Sequence, residues 1–244
     1  TEVIGLFGYI SGGTLKDLGL TSLSVTGKYY VGGLVGYINN STISNCYTTG
    51  SVATGGDGYG DFIGGLAGRN INSSTVSKCY STCSVTVNRS GNETNNFIGG
   101  LMGENRTSST VSKCYSTGSV SGDRANNIGG LLGWNNATVN NCYSTGSVSG
   151  LSNIGGLVGS SSGTVTNSFW NTATSGQSSS DGGTGKTTAQ LKSLATFTNT
   201  STSGLSTAWD FDGTQNNDAA TNDVWIIDGT TNNGYPFLDW QSQP

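Results

Sequence analysis

The sequence predicts an all-β protein, a right-handed parallel β-solenoid of about six coils with a C-terminal cap. One observation is the motif Ile-Gly-Gly-Leu-x-Gly, or a close variant, whose copies begin at positions 4, 31, 63, 98, 128 and 154. Another is Asn/Lys-Cys-Tyr-Ser/Thr-Thr-Gly/Cys-Ser-Val, which follows four of these copies. The spacing between copies drifts from 26 to 35 residues. A fixed motif with a drifting spacing is typical of a solenoid whose strands are constant and whose loops vary.

Each repeat offers three short apolar runs, which in the second copy are residues 31–36, 42–46 and 50–52. The runs are too short for helices, they contain β-branched residues, and Gly, Ser and Asn bound them, so they predict strands. Equivalent strands of neighbouring coils should pair in parallel about 4.8 Å apart. Right-handed winding is expected because about 98% of parallel crossovers have that hand. The Gly-Gly pair either adopts positive φ or lets two backbones approach closely.

Cysteine recurs at one repeat position, which predicts a buried structural ladder rather than a disulfide framework. Its members are Cys46, Cys79, Cys114 and Cys142. The adjacent tyrosine column should face the other way along an extended strand. Cys83 replaces a glycine of the motif, and Ser168 replaces the cysteine in the last copy.

Hydroxyl side chains form a second set of columns beside an inward Ile or Val. Alternation along the strand sends both hydroxyl columns outward. We interpret this grid first as a soluble outer face. The alternative is a flat ligand-binding face for an ordered ligand, either crystalline polysaccharide or ice. The candidate face comprises Thr42, Ser44, Thr75, Ser77, Thr110, Ser112, Thr138 and Thr164.

The chain divides into a repeat region, residues 1–176, and a C-terminal region, residues 177–244. Residues 177–186 are rich in Ser and Gly and predict a linker or loop. The rest contains Trp209, Trp225 and Trp240, and Thr187 begins a segment with a helix-capping pattern. We expect this aromatic region to cover the last coil, since an open β-edge needs protection.

These motifs resemble the GLUG repeat of bacterial and archaeal secreted surface proteins. That repeat occurs in adhesins of the filamentous-haemagglutinin type and in the non-catalytic parts of immunoglobulin A peptidases. The closing segment, Trp209-Asp-Phe-Asp followed by Tyr235-Pro-Phe-Leu, is similar to the segment that ends such arrays. The resemblance implies an extracellular or cell-surface location.

Composition argues against several functions. The net charge is −4 and there is no His, so nucleic-acid binding and Ser-His-Asp or Cys-His catalysis gain no support. The sequence contains no stretch of 18 apolar residues, so it predicts no membrane insertion. The loop acids fall at different repeat positions and form no column, which disfavours a polysaccharide-degrading β-helix enzyme. These acids are Asp57, Asp61, Glu93, Glu104 and Asp123. We expect no cofactor.

A calcium loop is a weak alternative at residues 210–218. Asp210 and Asp212 begin like an EF-hand loop and Asp218 follows, but the closing Glu is absent. A turn is sufficient to explain the pattern, so we expect no metal.

The function predicted from the sequence is a non-enzymatic adhesin, stalk or surface-display segment. Its partners would be a host-cell, glycan or solid-surface ligand, with end-to-end self-association as a further expectation. The loops 53–62, 86–97, 121–127 and 149–153 vary between coils, and recognition tends to reside on loops held by a rigid scaffold. We therefore expect them to bind the ligand in preference to the hydroxyl face.

Overall fold

Three parallel sheets organise the part of the chain that the computed structural model describes, residues 2–54, 62–87, 96–212 and 223–242. Each of the six repeats contributes one strand to the first sheet, built around the Ile-Gly of the motif. These strands are Val3–Ile4, Tyr30–Gly32, Phe62–Gly64, Phe97–Gly99, Asn126–Gly129 and Ser152–Gly155.

The second sheet follows directly after the Gly-Gly turn and holds two strand positions per repeat. Its first position is occupied by Phe7–Ser11, Val35–Asn39, Ala67–Ile71, Met102–Ser112, Leu132–Asn140 and Val158–Ser161. Its second position is occupied by Thr14–Lys16, Thr42–Ser44, Thr75–Ser77 and Thr164–Thr166. In the fourth and fifth repeats one long strand covers both positions.

The third sheet contains the Cys-Tyr and Ser-Val segments. Its strands are Gly19–Gly27, Tyr47–Thr54, Tyr80–Ser81, Ser84–Val87, Tyr115–Ser116, Val120–Gly122, Tyr143–Ser144, Val148–Ser149, Phe169–Asn171 and Thr184–Lys186. All pairings in the three sheets are parallel, and those between repeats join equivalent residues of successive repeats, as when Val76 pairs with Ile43 and Val111. The prediction of an all-β chain with parallel sheets is confirmed, and the divergent first copy is in register with the others.

Close backbone contacts explain the Gly-Gly pair. A Cβ added at Gly64 would lie 2.2 Å from the carbonyl oxygen of Ala67, and one added at Gly65 would lie 2.4 Å from that of Gly100. Neither glycine has positive φ. Of the two explanations that the sequence left open, close approach is therefore the correct one.

The cysteine column lies in the interior of the repeats. Cys46, Cys79, Cys114 and Cys142 are fully buried and have free thiols. Each thiol donates a hydrogen bond of 3.1 Å to the carbonyl two residues earlier. Ser168 makes the same contact in the sixth repeat, at 2.7 Å, and accepts from the Cys142 amide at 3.1 Å. Burial raises the pKa of the Cys79 and Cys114 thiols well above the usual value.

The C-terminal region contains short helices and a small antiparallel pair of strands. Its helices are Thr188–Leu191 and Leu194–Thr198, with 3₁₀ turns at Thr231–Gly234 and Asp239–Ser242, and the helix Thr172–Ser175 precedes it at the end of the repeat region. Trp225–Ile226 pairs antiparallel with Phe237–Leu238. Thr187 caps its helix through its side chain, as its sequence pattern predicts. Among the described residues, no helix combines the length and apolar character that a membrane crossing needs.

This region packs along the side of the repeats as well as beyond the last one. Trp225 lies against Tyr115 and Tyr143, and Trp240 reaches Tyr80 and Tyr47. The sequence led us to expect contact with the last coil alone. The additional contacts follow from the tyrosine column, which presents a row of large apolar surfaces that water would otherwise meet.

Candidate ligand-binding face

The predicted threonine positions lie in one column of the second sheet. Parallel pairing places Thr42 beside Thr75, Thr75 beside Thr110, and Thr138 between Thr110 and Thr164. Between the two hydroxyl columns, Ile43, Val76, Val111 and Val139 are fully buried, so the flanking side chains point outward.

The second column contains Ser44, Ser77 and Ser112, followed by Asn140 and Thr166. The structure adds Thr14 and Lys16, which pair with Thr42 and Ser44. Sequence reasoning missed this pair, although Thr-Leu-Lys repeats the Thr-Ile-Ser pattern 28 residues earlier.

The threonine hydroxyls are available to a ligand. Within the described part of the chain, none of the five predicted threonines makes a side-chain hydrogen bond to the protein. Thr42 and Thr164 are exposed, whereas Thr75, Thr110 and Thr138 are half-buried. Neighbours in a column are about 4.8 Å apart, and the two columns are about 6.7 Å apart, twice the rise per residue. The face is therefore a regular lattice of free hydroxyls.

One edge of this lattice carries charge. The residue after the second column has positive φ in all six repeats: Asp17, Asn45, Lys78, Lys113, Asn141 and Asn167. Burial lowers the pKa of Lys113, the nearby Lys78 ammonium lowers it further, and Asp210 opposes both effects. A ligand on the hydroxyl lattice would thus meet two lysines along this border.

The second sheet also contains a column of aromatic and charged side chains that the repeat motifs did not predict. Tyr9, Tyr37, Arg69, Glu104 and Trp134 are paired in register at the first strand position. Rings from the first sheet join them: the Tyr30 and Phe62 centroids are 5.0 Å apart, and the Phe97 and Trp134 centroids are 5.4 Å apart. Ring contacts thus continue along the column, whereas Tyr9 at its end is 55% exposed.

Two arginines and one glutamate cross-link this column. Glu104, 1% exposed, forms ion pairs with Arg69 and Arg106. The Arg69 guanidinium also lies 4.9 Å from the Phe62 ring centroid, and that of Arg106 lies 5.5 Å from the Trp134 ring centroid. Burial raises the pKa of Glu104, while the two arginines act in the opposite direction. This carboxylate is held by its partners, so we assign it a structural role.

The remaining acidic candidates do not form a site in the described residues. Asp57, Asp61, Glu93 and Asp218 lie outside the described residues. Asp210 and Asp212 flank Phe211, and their backbones bond to Trp225, the Trp225 amide donating to the Asp210 carbonyl at 3.0 Å. Phe211 and Trp225 form an isolated parallel bridge, so the backbone of this segment is held against the strand Trp225–Ile226. In the described segments, no group of three His, Cys, Asp or Glu side chains could hold a metal.

The fold and this face together define a repeat protein whose successive repeats pair in three parallel sheets. Residues 27–53 and 124–149, which contain the second and fifth repeats, match the family model described as the GLUG motif. The chain therefore carries GLUG repeats, and the resemblance inferred from its sequence is confirmed for these segments. Neither the curated proteins nor the solved structures yield a match.

Proposed function

We propose that the chain is a right-handed β-solenoid of six coils that serves as a non-enzymatic extracellular adhesin, stalk or display segment. Residues 1–176 would form the solenoid and residues 177–244 its aromatic cover. The ligand would be a glycan, a host-cell surface or a solid surface.

One observation carries this proposal: constant strands flank connections of different length. Within the predicted loops, the connections between the strands of the third and first sheets, 55–61, 88–96, 123–125 and 150–151, have seven, nine, three and two residues. Yet the strands before and after them stay in register, as Val85 does with Val120, and Ile98 with Ile128. The ends of all four connections are thus held in one row, which suits the display of variable recognition loops.

The free hydroxyl lattice favours a second candidate, binding to crystalline polysaccharide or ice. A flat array of hydroxyls at fixed spacing could meet an ordered ligand without rearrangement, so little side-chain entropy would be lost on binding. Mixed Ser, Asn and Thr occupancy in the second column weakens an exact lattice match, so this candidate ranks below the display function.

Two variants separate the candidates in assays on a glycan array, on insoluble cellulose and chitin, and for ice recrystallisation. Removal of residues 88–95 should abolish binding if the loops recognise the ligand, which is the result we expect. Thr110→Tyr should instead abolish it if the hydroxyl lattice does. Thr117→Tyr is the matched control, because Thr117 is also a half-buried threonine of the same repeat and lies outside both the hydroxyl lattice and the four loops. A wild-type chain that binds nothing in any assay would contradict both candidates.

A further inference from the structure

Two lysines lie side by side along the edge of the hydroxyl lattice. Lys78 and Lys113 hold the same position in the third and fourth repeats, directly after Ser77 and Ser112, which pair with each other. The Lys78 amide donates to the Ser112 carbonyl and the Lys113 amide to the Asn140 carbonyl, each at 3.1 Å. The two lysine backbones are therefore held in register, about 4.8 Å apart.

These two lysines repel each other. Like charges on directly paired positions of neighbouring strands destabilise a sheet. Burial lowers the pKa of Lys113 most, the Lys78 ammonium lowers it further, and Asp210 opposes both effects. In the described part of the chain, neither ammonium group has an ion-pair partner or donates a hydrogen bond to the protein. A bound anion would remove this repulsion and supply the missing partner.

The backbone does not explain why lysine occupies this position. Lys78 and Lys113 have φ of 52° and 55°, in the left-handed region. Asn and Asp tolerate this conformation because their short side chains can form local hydrogen bonds, and they occupy the equivalent position in the other four repeats. Lysine gains no such bond. Residues held in a conformation that disfavours them are concentrated at functional sites.

Free hydroxyl groups surround the lysine pair. Thr75 and Ser77 pair with Thr110 and Ser112, and all four side chains are half-buried. Within the described residues, these hydroxyls make no side-chain hydrogen bond to the protein. Ammonium groups bind sulfate and carboxylate through charge-assisted hydrogen bonds, whereas hydroxyls both donate and accept, as sugar hydroxyls do. The combination suits a sugar that carries an acidic group.

We propose that Lys78 and Lys113 form a subsite for the sulfate or carboxylate groups of an acidic polysaccharide, whose sugar hydroxyls contact the adjacent hydroxyl lattice. This inference rests on the proposed glycan-binding function and adds a chemical class of ligand to it. Backbones about 4.8 Å apart allow both ammonium groups to reach one acidic group. Because the whole chain carries −4, long-range attraction does not favour a polyanion, and binding depends on this local pair.

Calorimetric titration with dextran sulfate, polygalacturonate and neutral dextran tests the subsite. The wild-type chain should bind at least one acidic polymer at least about tenfold more tightly than dextran, and salt should weaken this binding. The polymer that binds identifies the acidic group. Lys78→Asn/Lys113→Asn should abolish the preference. Asn occupies this position in three other repeats, so the urea midpoint of this variant should stay equal or rise. Lys78→Arg/Lys113→Arg should retain the preference.

Lys16→Gln/Lys28→Gln is the matched control, because it removes the same number of positive charges from the first repeat, where Lys16 already pairs with Asp17 at 3.7 Å. The preference for the acidic polymer should be unchanged. Its survival in Lys78→Asn/Lys113→Asn would overturn the inference, as would equally tight binding of single-stranded DNA. A wild-type chain that binds neutral glycans without any acidic preference would overturn this inference alone. A chain that binds no glycan would overturn the proposed function as well.

Discussion

At the scale of single residues, the second glycine of each Gly-Gly pair sets how closely the sheets approach. A Cβ at Gly65 would lie 2.1 Å from the Ser81 hydroxyl oxygen and 2.4 Å from the Gly100 carbonyl oxygen. Gly100 and Gly130 have the same surroundings, with Ser116 and Ser144 in the place of Ser81. The motif therefore reflects a steric requirement that is the same in successive repeats.

Gly65→Ala should lower the free energy of unfolding by about 1–3 kcal/mol, the range for overpacked positions. The Gly100 carbonyl cannot rotate away without losing the hydrogen bond that it accepts from the Gly65 amide at 3.2 Å. Gly13→Ala is the control: its nearest neighbour would be a methyl carbon of Ile10 at 3.6 Å, so stability should stay the same or rise by up to about 1 kcal/mol. Urea denaturation of both variants measures the difference, and equal losses would refute the steric explanation.

The left-handed position before the cysteine, or before Leu18 and Ser168 in the first and sixth repeats, is another requirement at this scale. It is occupied by Asn in three repeats, by Lys in two and by Asp in one, and φ lies between 47° and 56° throughout. Asn and Asp tolerate this conformation better than most residues. Sequence reasoning noted Asn/Lys at this position without recognising the backbone conformation as its cause.

At the scale of elements, the tyrosine column is a buried strip between the third sheet and the C-terminal region. Neighbouring ring centroids lie 4.9–5.0 Å apart and the rings are nearly parallel. Tyr143 donates to the Pro236 carbonyl, and Tyr115 donates to the Gln241 side chain. Burial raises the pKa of Tyr80 to about 12, with a further rise from the adjacent Tyr47. It raises the pKa of Tyr115 and Tyr143 as well.

These shifts predict alkaline destabilisation. In the unfolded chain, a tyrosine ionises near pH 10, whereas the folded chain keeps these phenols protonated. The stabilisation is therefore complete below about pH 10 and is lost as pH rises toward and through the folded pKa, about 12 for Tyr80. Circular dichroism against pH measures the midpoint. Tyr80→Phe should raise it, and Tyr9→Phe, at an exposed ring, should not. An unchanged midpoint in Tyr80→Phe would show that this column does not control the transition.

The elements differ in how far their sequence reveals them. The hydroxyl and cysteine columns could be predicted because one residue type recurs in successive repeats. The column of Arg69, Glu104 and Trp134 could not be found in this way because every repeat contributes a different residue. A comparison of charge at equal repeat positions would have paired Arg69 with Glu104. The contact between Trp240 and Tyr80 joins residues far apart in sequence, and no spacing predicts it.

At the scale of the whole molecule, the C-terminal region connects repeats that otherwise contact only their neighbours. In a stacked array, stability is the sum of repeat and interface terms, and the ends can open separately. Here Phe197 and Trp209 contact Phe169 of the sixth repeat, whereas Trp240 contacts Tyr47 of the second. One segment thus spans five repeats, so we expect them to unfold together.

Trp225→Ala tests this connection. Trp225 is fully buried between Tyr115, Tyr143 and Trp209, and its truncation should cost about 3–5 kcal/mol. Hydrogen exchange should rise in the fourth and fifth repeats as well as in the C-terminal region. Leu194→Ala, in the same region but 38% exposed, should cost less than about 1 kcal/mol. If exchange in the repeats were unchanged by Trp225→Ala, the region would be an independent module.

The return of the C-terminal region to the second and third repeats has a mechanical consequence. Trp240 donates a hydrogen bond of 3.1 Å to the Lys78 carbonyl, and the Glu2 carbonyl accepts one of 3.3 Å from the Tyr30 amide of the second repeat. Tension applied between Glu2 and Trp240 is therefore borne first by the first four repeats, because Gln241, next to Trp240, accepts a hydrogen bond from Tyr115 of the fourth repeat. The fifth and sixth repeats bear load only after the aromatic contacts of the C-terminal region have broken. Under load, the first repeats would stretch first, and the later repeats would add length only after they unfold.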